Sequence, residues 1–419
     1  MGNRITVVIG GSRSQTLDTD DFIDALRLAG DGDSILLEEG SYELLSPLSI
    51  NRSVFISGLG RGAVLSGPAT TAPLVEWNAP GGQIANISLV QNNNNLRFAQ
   101  NVALGIRSGS PVIKLCTFRT FSKAETVRIS GISSPMFFQC RFAHSESGMR
   151  IEETAKTTLL QCEFMSNHSN GLEVRDSALA DVLDCVFQNS FGSALRIYGH
   201  ASTKVCNSQL NENRGNAVHV GDTSKLRLIK CFIQGNGLEG ICVQDIAAVQ
   251  VIGGFCSGNG GWNAIAQDHS RLDILCCHLE GADAAVFYAN HSRGTLRNCK
   301  LHDDHGGRFS CDESASPVLV SSEIDDDVDT NVVLPSPSTI PAAPHQRRSR
   351  NAGIKGSIVS LTTPSWKEEK LMMKKSLARL RSHGEGNPSS SACDNSESLI
   401  SKTATGSLES PGSTPMMPT

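Results

Sequence analysis

The sequence predicts an all-β parallel solenoid, a β-helix of ten or more coils of about 23 residues each, with a helix capping its N-terminal end and a disordered tail after it. Three features predict this architecture. A short motif recurs at a nearly constant interval, two positions of that motif are apolar in every copy, and the strands it implies are too short and too regularly alternating to be helices.

The recurring motif reads apolar-x-x-Cys-x-apolar and occurs ten times at steps of 22 to 24 residues. Three residues before the Cys position, and again two residues after it, the side chain is apolar in every copy. Seven of the ten Cys positions hold a cysteine, and the ten are Cys116, Cys140, Cys162, Cys185, Ser208, Cys231, Gly254, Cys277, Cys299 and Ser322. Because neighbouring parallel strands lie about 4.8 Å apart, equivalent positions are expected to stack into columns along the solenoid.

A second short strand in each copy shows period-two alternation, as in residues 172–174 and 195–197. One coil cannot bury its own apolar face, so the inward columns of successive coils must share a single core. Residues 33–333 are therefore predicted to form one cooperative β-helix domain.

Residues 1–32 are predicted to form an N-terminal strand and a capping helix. The segment Thr19 to Ala29 has Asp in its first turn, apolar residues at helical spacing, and Gly30 as a stop signal. A cap is expected because the first coil of a stack presents unpaired strand edges.

After the capping helix come Gly-Asp-x-Ile-x-Leu at Gly32–Leu37, Gly-x-Tyr at Gly40–Tyr42, and then the repeated coils. In this order of elements, over residues 5–333, the chain resembles the pectin-lyase-like superfamily of right-handed parallel β-helices. Within that superfamily it is most similar to intracellular members, namely the β-helix of F-box-type ubiquitin-ligase subunits and of Shc-binding, spindle-associated proteins. The resemblance implies a right-handed coil. Many members carry Asn where these coils carry Cys.

The composition predicts a soluble intracellular protein. The 419 residues are 39% hydrophobic and carry a net charge of −5. No run approaches the roughly 18 apolar residues of a membrane span, and residues 1–11 lack the apolar core of a secretory signal. Thirteen cysteines in such a chain are more typical of buried thiols than of disulfides. The expected location is the cytoplasm, with attachment to the cytoskeleton or a membrane also considered.

Residues 334–419 are predicted to be a disordered, basic, Pro- and Ser-rich tail, since they contain nine of the 16 prolines. The tail has 11 Lys or Arg against 6 Asp or Glu, a net charge of +5, which leaves 26 against 36, a net of −10, for residues 1–333. Phosphate neutralisation supplies most of the affinity for nucleic acids, so the acidic body is expected not to bind them.

Within the tail a helix is predicted over residues 365–381, where Ser365 and Glu368 fit a capping box. Its apolar residues share one side, surrounded by basic ones; they are Trp366, Met373, Leu377 and Leu380. Such a helix suits a partner groove or a membrane surface. Gly2 fits the N-myristoylation pattern, and an acyl chain with a basic segment would give peripheral membrane contact.

The cysteine column is interpreted as structural, and neither a metal ion nor a cofactor is expected. Zinc needs four ligands that converge tetrahedrally, whereas stacked equivalents form a line. Buried free cysteine behaves as a small hydrophobic residue, so the thiols are expected to stay reduced.

An acidic column follows the second strand, with Asp222, Asp245 and Asp268 on three successive coils. Two interpretations stay open. Neighbouring carboxylates about 5 Å apart would suit the pair of a retaining glycosidase, and their repulsion would raise a pKa or recruit a hard cation. Alternatively, Asp at turns serves the local backbone as a hydrogen-bond acceptor.

The outward position of the second strand defines an outer row that is mostly cationic in its first half and apolar in its second. The outer row comprises Arg128, Arg150, Glu173, Arg196, His219, Cys242, Ile265 and Phe287. The cationic half suits an acidic or phosphorylated protein partner, and the apolar half is expected to be an exposed patch. The alternative is an ordinary solvated strand face whose later coils are covered by a loop.

Two functions fit these patterns. The first is a non-catalytic intracellular scaffold that presents the outer row, and the tail helix, to protein partners. The second is a divergent carbohydrate-active enzyme (a polysaccharide lyase, hydrolase or epimerase) that uses Asp222, Asp245 and Asp268. Sugar rings bind on aromatic platforms, and few Trp and Tyr are present, which favours the scaffold. Trp262 is the best isolated candidate for such a platform.

Overall fold

The computed structural model describes residues 5–9, 15–19, 21–60, 62–68, 72–92, 102–121, 124–281, 284–302, 309–320 and 322–324. These residues wind into a right-handed parallel β-solenoid of about 11 turns with coils of about 23 residues. The predicted fold class is confirmed. The predicted tail helix at 365–381 and the predicted lipidation site at Gly2 lie outside the described residues.

Each coil contributes one strand to each of three sheets, which we call A, B and C in the order in which a coil visits them. In the described part of the chain, the strands of sheet A in spatial order are Gln15–Thr19, Ile5–Ile9, Ser34–Leu37, Phe55–Gly58, Gln83–Ala85, Val112–Lys114, Met136–Phe138, Lys156–Leu160, Leu179–Leu183, Ser202–Cys206, Lys225–Ile229, Ala248–Ile252, Arg271–Leu275, Arg293–Arg297 and Ser316–Val320.

Sheet B is formed by Gly40–Glu43, Ala63–Pro68, Ser88–Asn92, Thr117–Thr120, Arg141–Ala143, Glu163–Met165, Val186–Gln188, Gln209–Asn211, Phe232–Gln234, Phe255–Ser257, His278–Glu280, Lys300–Leu301 and Glu323–Ile324. Sheet C is formed by Leu48–Ile50, Val75–Trp77, Leu104–Ile106, Glu125–Ile129, Ser147–Ile151, Leu172–Val174, Leu195–Ile197, Val218–Val220, Ile241–Val243, Trp262–Ala266, Ala284–Tyr288 and Phe309–Cys311. All pairings between coils are parallel, so equivalent residues stand directly above one another.

The two apolar columns expected from the repeat are the inward faces of sheets A and B. In sheet A, Val182 pairs with Val205, and in sheet B, Phe164 pairs with Phe187. Stacked phenylalanines fill the earlier coils, with a ring-centroid distance of 4.5 Å between Phe164 and Phe187 and an interplanar angle of 7°. Offset ring stacking of this kind adds stabilisation beyond the burial of apolar area.

The tight turn from sheet A to sheet B explains the cysteine column. Gln161, the residue before Cys162, has a φ of 53°. At such a turn the thiol of the next residue donates to the carbonyl oxygen of the residue two positions before that cysteine, as Cys162 does to Leu160. The Sγ of Cys185 lies 3.2 Å from the carbonyl oxygen of Leu183. Ser208 makes the same contact with the Cys206 carbonyl, at 2.9 Å. Nine of the ten positions of the column hold a small side chain with a hydrogen to donate, cysteine or serine, and Gly254 is the exception.

Burial keeps two thiols of the column, those of Cys231 and Cys277, in the protonated form that their hydrogen bonds require. It raises the pKa of Cys231 to about 11 and the pKa of Cys277 to about 12. The twelve cysteines among the described residues are free thiols, and all but Cys276 and Cys311 are buried.

The turn from sheet B to sheet C contains a ladder of buried asparagines on three successive coils. The backbone N–H of Asn213 donates to the side-chain oxygen of Asn236, and the N–H of Asn236 donates to that of Asn259, both at 3.1 Å. The side-chain amides link the same residues at 3.0 and 2.9 Å. Each amide is at most 3% exposed, so the ladder satisfies polar groups that would otherwise be buried without partners.

The N-terminal end of the stack is closed by an antiparallel pair of strands and a helix. Ile5–Ile9 pairs antiparallel with Gln15–Thr19 on one side and with Ser34–Leu37 on the other. Helix α1, Phe22–Leu28, starts after Asp21, whose carboxylate accepts from the Ile23 N–H at 2.7 Å. The helix is shorter than predicted because Thr19 belongs to the preceding strand. Among the described residues, none of the helices has the length and apolar character needed to cross a membrane.

The thiol column gives a first prediction. Replacing Cys185 by Ser keeps the donor to the Leu183 carbonyl and an acceptor for the Cys162 N–H, which lies 3.3 Å from the Cys185 sulfur. Replacing Cys185 by Val removes both, and should lower the free energy of unfolding by about 2 kcal/mol more than the Ser change. Urea denaturation of Cys185→Ser and Cys185→Val measures the difference; equal stabilities would refute the hydrogen-bonding role.

Candidate functional site

The outer row is a continuous column on the solvent-facing side of sheet C. Strand register places Arg128 beside Arg150, Arg150 beside Glu173, and Glu173 beside Arg196. The row then continues through the later coils as His219, Cys242, Ile265 and Phe287. The eight positions therefore form one column, and the binding role predicted for them stays a prediction.

The first half of the outer row is a network of buried carboxylates and half-buried arginines. Glu125 is only 2% exposed, and its carboxylate accepts from the Nε of Arg128 and lies 3.4 Å from Arg150 Nη1. Arg150 also places its Nε 3.5 Å from the Oε1 of Glu173, which is 7% exposed. Burying an ionised carboxylate is costly unless cations lie beside it, so these positive charges are required by the two glutamates.

A tyrosine and a further arginine extend this network to the next turn. The hydroxyl of Tyr198 donates to the Oε1 of Glu173. Burial, together with this bond to a carboxylate, raises the pKa of Tyr198, which keeps its proton in place. Burial opposes the charge of Arg175, but its contacts with Tyr198 and the Glu152 carboxylate outweigh that cost and raise the pKa of Arg175.

Arg196 is the one exposed residue of the outer row, and His219 lies next to it. Arg196 is exposed and stands 5.6 Å from the centre of the Tyr198 ring. His219 is half-buried, and the pKa of His219 is lowered by burial and by the positive charge of Arg196. At neutral pH this imidazole is therefore uncharged and able to accept a proton.

The second half of the outer row differs from the expected exposed apolar patch. Cys242 is 9% exposed and Ile265 is 5% exposed, so both are buried. Phe287 stacks on Trp262 with a centroid distance of 4.8 Å and an angle of 21°. This pair is half-buried and leaves aromatic surface at the end of the row.

The acidic column lies in the turn from sheet C to sheet A. Asp222, Asp245 and Asp268 have φ values of 54°, 61° and 59°, a left-handed conformation that Asp tolerates. Each carboxylate accepts a hydrogen bond from a backbone N–H of the preceding coil. The Asp222 N–H donates to the Asp245 carboxylate at 2.8 Å, and the Asp245 N–H donates to the Asp268 carboxylate at 3.1 Å. The carboxylate of Asp222 accepts in the same way from the Gly199 N–H at 2.7 Å. The column thus connects successive coils, and the catalytic role predicted for it stays a prediction.

Four site residues were not singled out from the sequence: Glu125, Glu152, Arg175 and Tyr198. Glu125 sits two residues before the inward-facing Val127, at the start of the strand, and the other three lie at or just beyond strand ends. Tyr198 is one of only three tyrosines in the chain, and this rarity was the one available signal. Among the described residues, no group of three or more His, Cys, Asp or Glu side chains could hold a metal ion.

A sequence model described as a right handed beta helix region matches residues 83–233 and 193–336, which together exceed half of the chain. The chain belongs to this right-handed β-helix family. The wider superfamily expected from the sequence is thereby supported. No curated protein sequence matches the chain.

Solved structures with a similar fold include a periplasmic alginate epimerase, with a TM-score of 0.53 and 12% identity over 77% of this chain and 94% of that one. A double mutant of the same enzyme gives a TM-score of 0.52 and 11% identity over 70% and 86% of the two chains. The A-module of a mannuronan C-5 epimerase from Azotobacter vinelandii gives a TM-score of 0.48 and 12% identity over 72% of this chain and 89% of that one.

These comparisons correct two predictions. The non-catalytic intracellular scaffold is the wrong choice between the two functions, because the similar structures are carbohydrate-active enzymes. The predicted cytoplasmic location is also corrected, since two of these similar structures are of a periplasmic enzyme. The expected acidic or phosphorylated protein partners and the peripheral membrane contact stay predictions.

The buried ion network gives a second prediction. Replacing Glu125 by Gln leaves Arg128 and Arg150 without their shared carboxylate, and should lower the free energy of unfolding by about 3 kcal/mol. The matched control is Glu163→Gln, which breaks a 3.9 Å pair with Arg141 in which both side chains are about half exposed. That change should cost less than about 0.5 kcal/mol in urea denaturation. Equal losses would show that the Glu125 network is not structural.

A third prediction concerns the protonation of His219. Removing the Arg196 charge with Arg196→Gln should raise the pKa of His219, but not to its usual value, because burial is the larger cause of the lowered pKa. NMR titration of the imidazole protons measures this shift. Arg214→Gln is the control, since the Arg214 guanidinium lies over the Phe191 ring, and it should leave the titration unchanged. An unchanged pKa of His219 in Arg196→Gln would contradict an effect of the Arg196 charge on this imidazole.

Proposed function

We propose that this protein is a carbohydrate-active β-helix protein that binds an acidic polysaccharide along the outer face of sheet C and removes a proton next to a sugar carboxylate. The observation that carries the proposal is the pairing of an exposed arginine, Arg196, with a histidine, His219, held uncharged beside it. Similarity of fold to alginate epimerases supports the same substrate class.

The arginines of the outer row differ in what they are free to bind. Arg128 and Arg150 are already engaged by buried carboxylates. For Arg196 no carboxylate of the described residues lies within ion-pair distance, and its guanidinium is solvent-accessible. A planar guanidinium binds a carboxylate through two parallel hydrogen bonds, so Arg196 is the residue that would hold a sugar carboxylate.

The chemistry follows from the groups around that carboxylate. Arg196 would stabilise the negative charge that develops on the carboxylate when the neighbouring C–H bond breaks. Uncharged His219 would take the proton, while the bonding electrons delocalise into the carboxylate. Tyr198, whose raised pKa keeps its proton, could return a proton to the same carbon or to a departing glycosidic oxygen. The first outcome inverts the sugar carbon and the second cleaves the chain.

The aromatic pair supplies a second contact for a polymer. Phe287 lies four strand steps from Arg196 along the outer row, a distance of about 19 Å, which is long enough for several sugar rings. Trp262 and Phe287 offer the flat apolar surface on which a sugar ring face packs. The more specific similarity to F-box-type and Shc-binding β-helix proteins stays a prediction.

The proposal is tested with a panel of polyuronates and neutral polysaccharides. We expect calorimetric binding of a polyuronate, weakened about tenfold or more by Arg196→Gln. In D₂O the wild type should introduce deuterium next to the carboxylate, detected by NMR, and His219→Gln should abolish this while retaining binding. Arg141→Gln, on sheet B, is the control and should change neither. Equal binding of neutral polysaccharides would refute the proposal.

The same assay decides the alternative role of the acidic column. Asp245→Asn removes the carboxylate charge from the middle of that column while keeping an oxygen for the Asp222 N–H. We expect unchanged deuterium incorporation. Loss of turnover in a variant that stays folded would instead assign the chemistry to Asp222, Asp245 and Asp268.

A further inference from the structure

A separate groove of about 430 Å³ lies on the outer face of sheet A, on strands other than those that carry the outer row. Its floor is a column of four residues from successive coils, in which Lys204 pairs with Arg227, Arg227 with Gln250, and Gln250 with Asp273. Lys225 and Arg271 flank this column on the same strands as Arg227 and Asp273. Four cations and one carboxylate therefore line the groove.

The cations of this groove are unusually placed for a surface of an acidic domain. Lys204 lies between Asp181 and Arg227 in the strand register, and on the Arg227 side two like charges directly opposite each other repel. Within the described ranges, no carboxylate lies within ion-pair distance of Lys204, Lys225 or Arg227. Arg271 is already paired with Asp273, at 2.7 Å. An anion bound between the three free cations would relieve the repulsion.

Two buried polar atoms point to the kind of ligand. The Nε of Arg227 is buried and has no hydrogen-bond partner among the described residues. The same holds for Oδ1 of Asp273, whose other oxygen accepts from Arg271. A buried donor and a buried acceptor without partners are rare in folded proteins. The donor needs an acceptor such as an oxyanion oxygen, and the acceptor needs a donor such as a hydroxyl group.

The distance between Arg227 and Asp273 limits the size of the ligand. Arg227 and Asp273 are two strand steps apart, about 10 Å. Gln250, between them, can both donate and accept a hydrogen bond. A tetrahedral oxyanion at Lys204, Lys225 and Arg227 would therefore be joined to a polyhydroxyl body that extends over Gln250 to Asp273.

We propose that this groove binds a sugar ester of a tetrahedral oxyanion, with the phosphate or sulfate group on Lys204, Lys225 and Arg227 and a sugar hydroxyl donating to Asp273. The site is independent of the proposed polysaccharide site on sheet C. It shares no residue with the outer row.

Calorimetry on the full chain tests this proposal with four probes: glucose 6-phosphate, glucose 6-sulfate, inorganic phosphate and glucose. We expect at least one ester to bind about tenfold or more tightly than inorganic phosphate, and glucose alone not to bind. The two esters distinguish a phosphate from a sulfate ligand. Inorganic phosphate binding as tightly as both esters, or no binding of either ester, would overturn the proposal.

Matched variants locate the binding. Arg227→Gln should weaken ester binding about tenfold or more, and Asp273→Ala, which removes both acceptor oxygens, should weaken ester binding without weakening the binding of inorganic phosphate. The controls are Arg293→Gln and Asp181→Ala, which change exposed residues of the same sheet face beyond the groove lining and should not weaken binding. Thermal unfolding of each variant verifies the fold. Equal losses in Arg293→Gln and Arg227→Gln would show non-specific attraction and refute the site.

Discussion

Everything in this protein depends on the parallel hydrogen bonding of each coil to the next. That pairing requires every coil to return to its starting point after nearly the same length of chain, and the three turns decide whether it does. Each turn has its own side-chain solution: a thiol or hydroxyl that donates to a nearby carbonyl, a buried asparagine, or an aspartate that accepts an N–H of the coil before. The polar turn residues are thus as structural as the apolar core.

The same pairing makes the candidate site possible. Stacking brings Glu125, Arg150 and Glu173 together from three coils, and no single coil could surround a buried carboxylate with cations. Charges in such a network stabilise one another but also hold one another in fixed positions. The result is a rigid, charged strand face on which Arg196 and His219 project toward solvent, a suitable support for binding a linear polymer.

The sequence predicts the columns well because column membership depends only on repeat length. The register of Val182 with Val205, and of Arg196 with His219, follows from counting residues. It does not predict which outward side chains are covered: Ile265 is buried although it points away from the core. Nor does it predict the partners of Tyr198, since these depend on side-chain directions across neighbouring coils.

The repeated turns also determine how such a protein can change its length. Adding or removing one amino acid inside a strand would turn the following inward residues of that strand outward, whereas a turn absorbs such a change, as the 22- and 24-residue steps of the repeat show. Inserting or losing a complete winding would preserve all three turns and every stacked contact on either side. Evolution can therefore extend or shorten the outer face of sheet C in steps of one winding, without redesigning the interior.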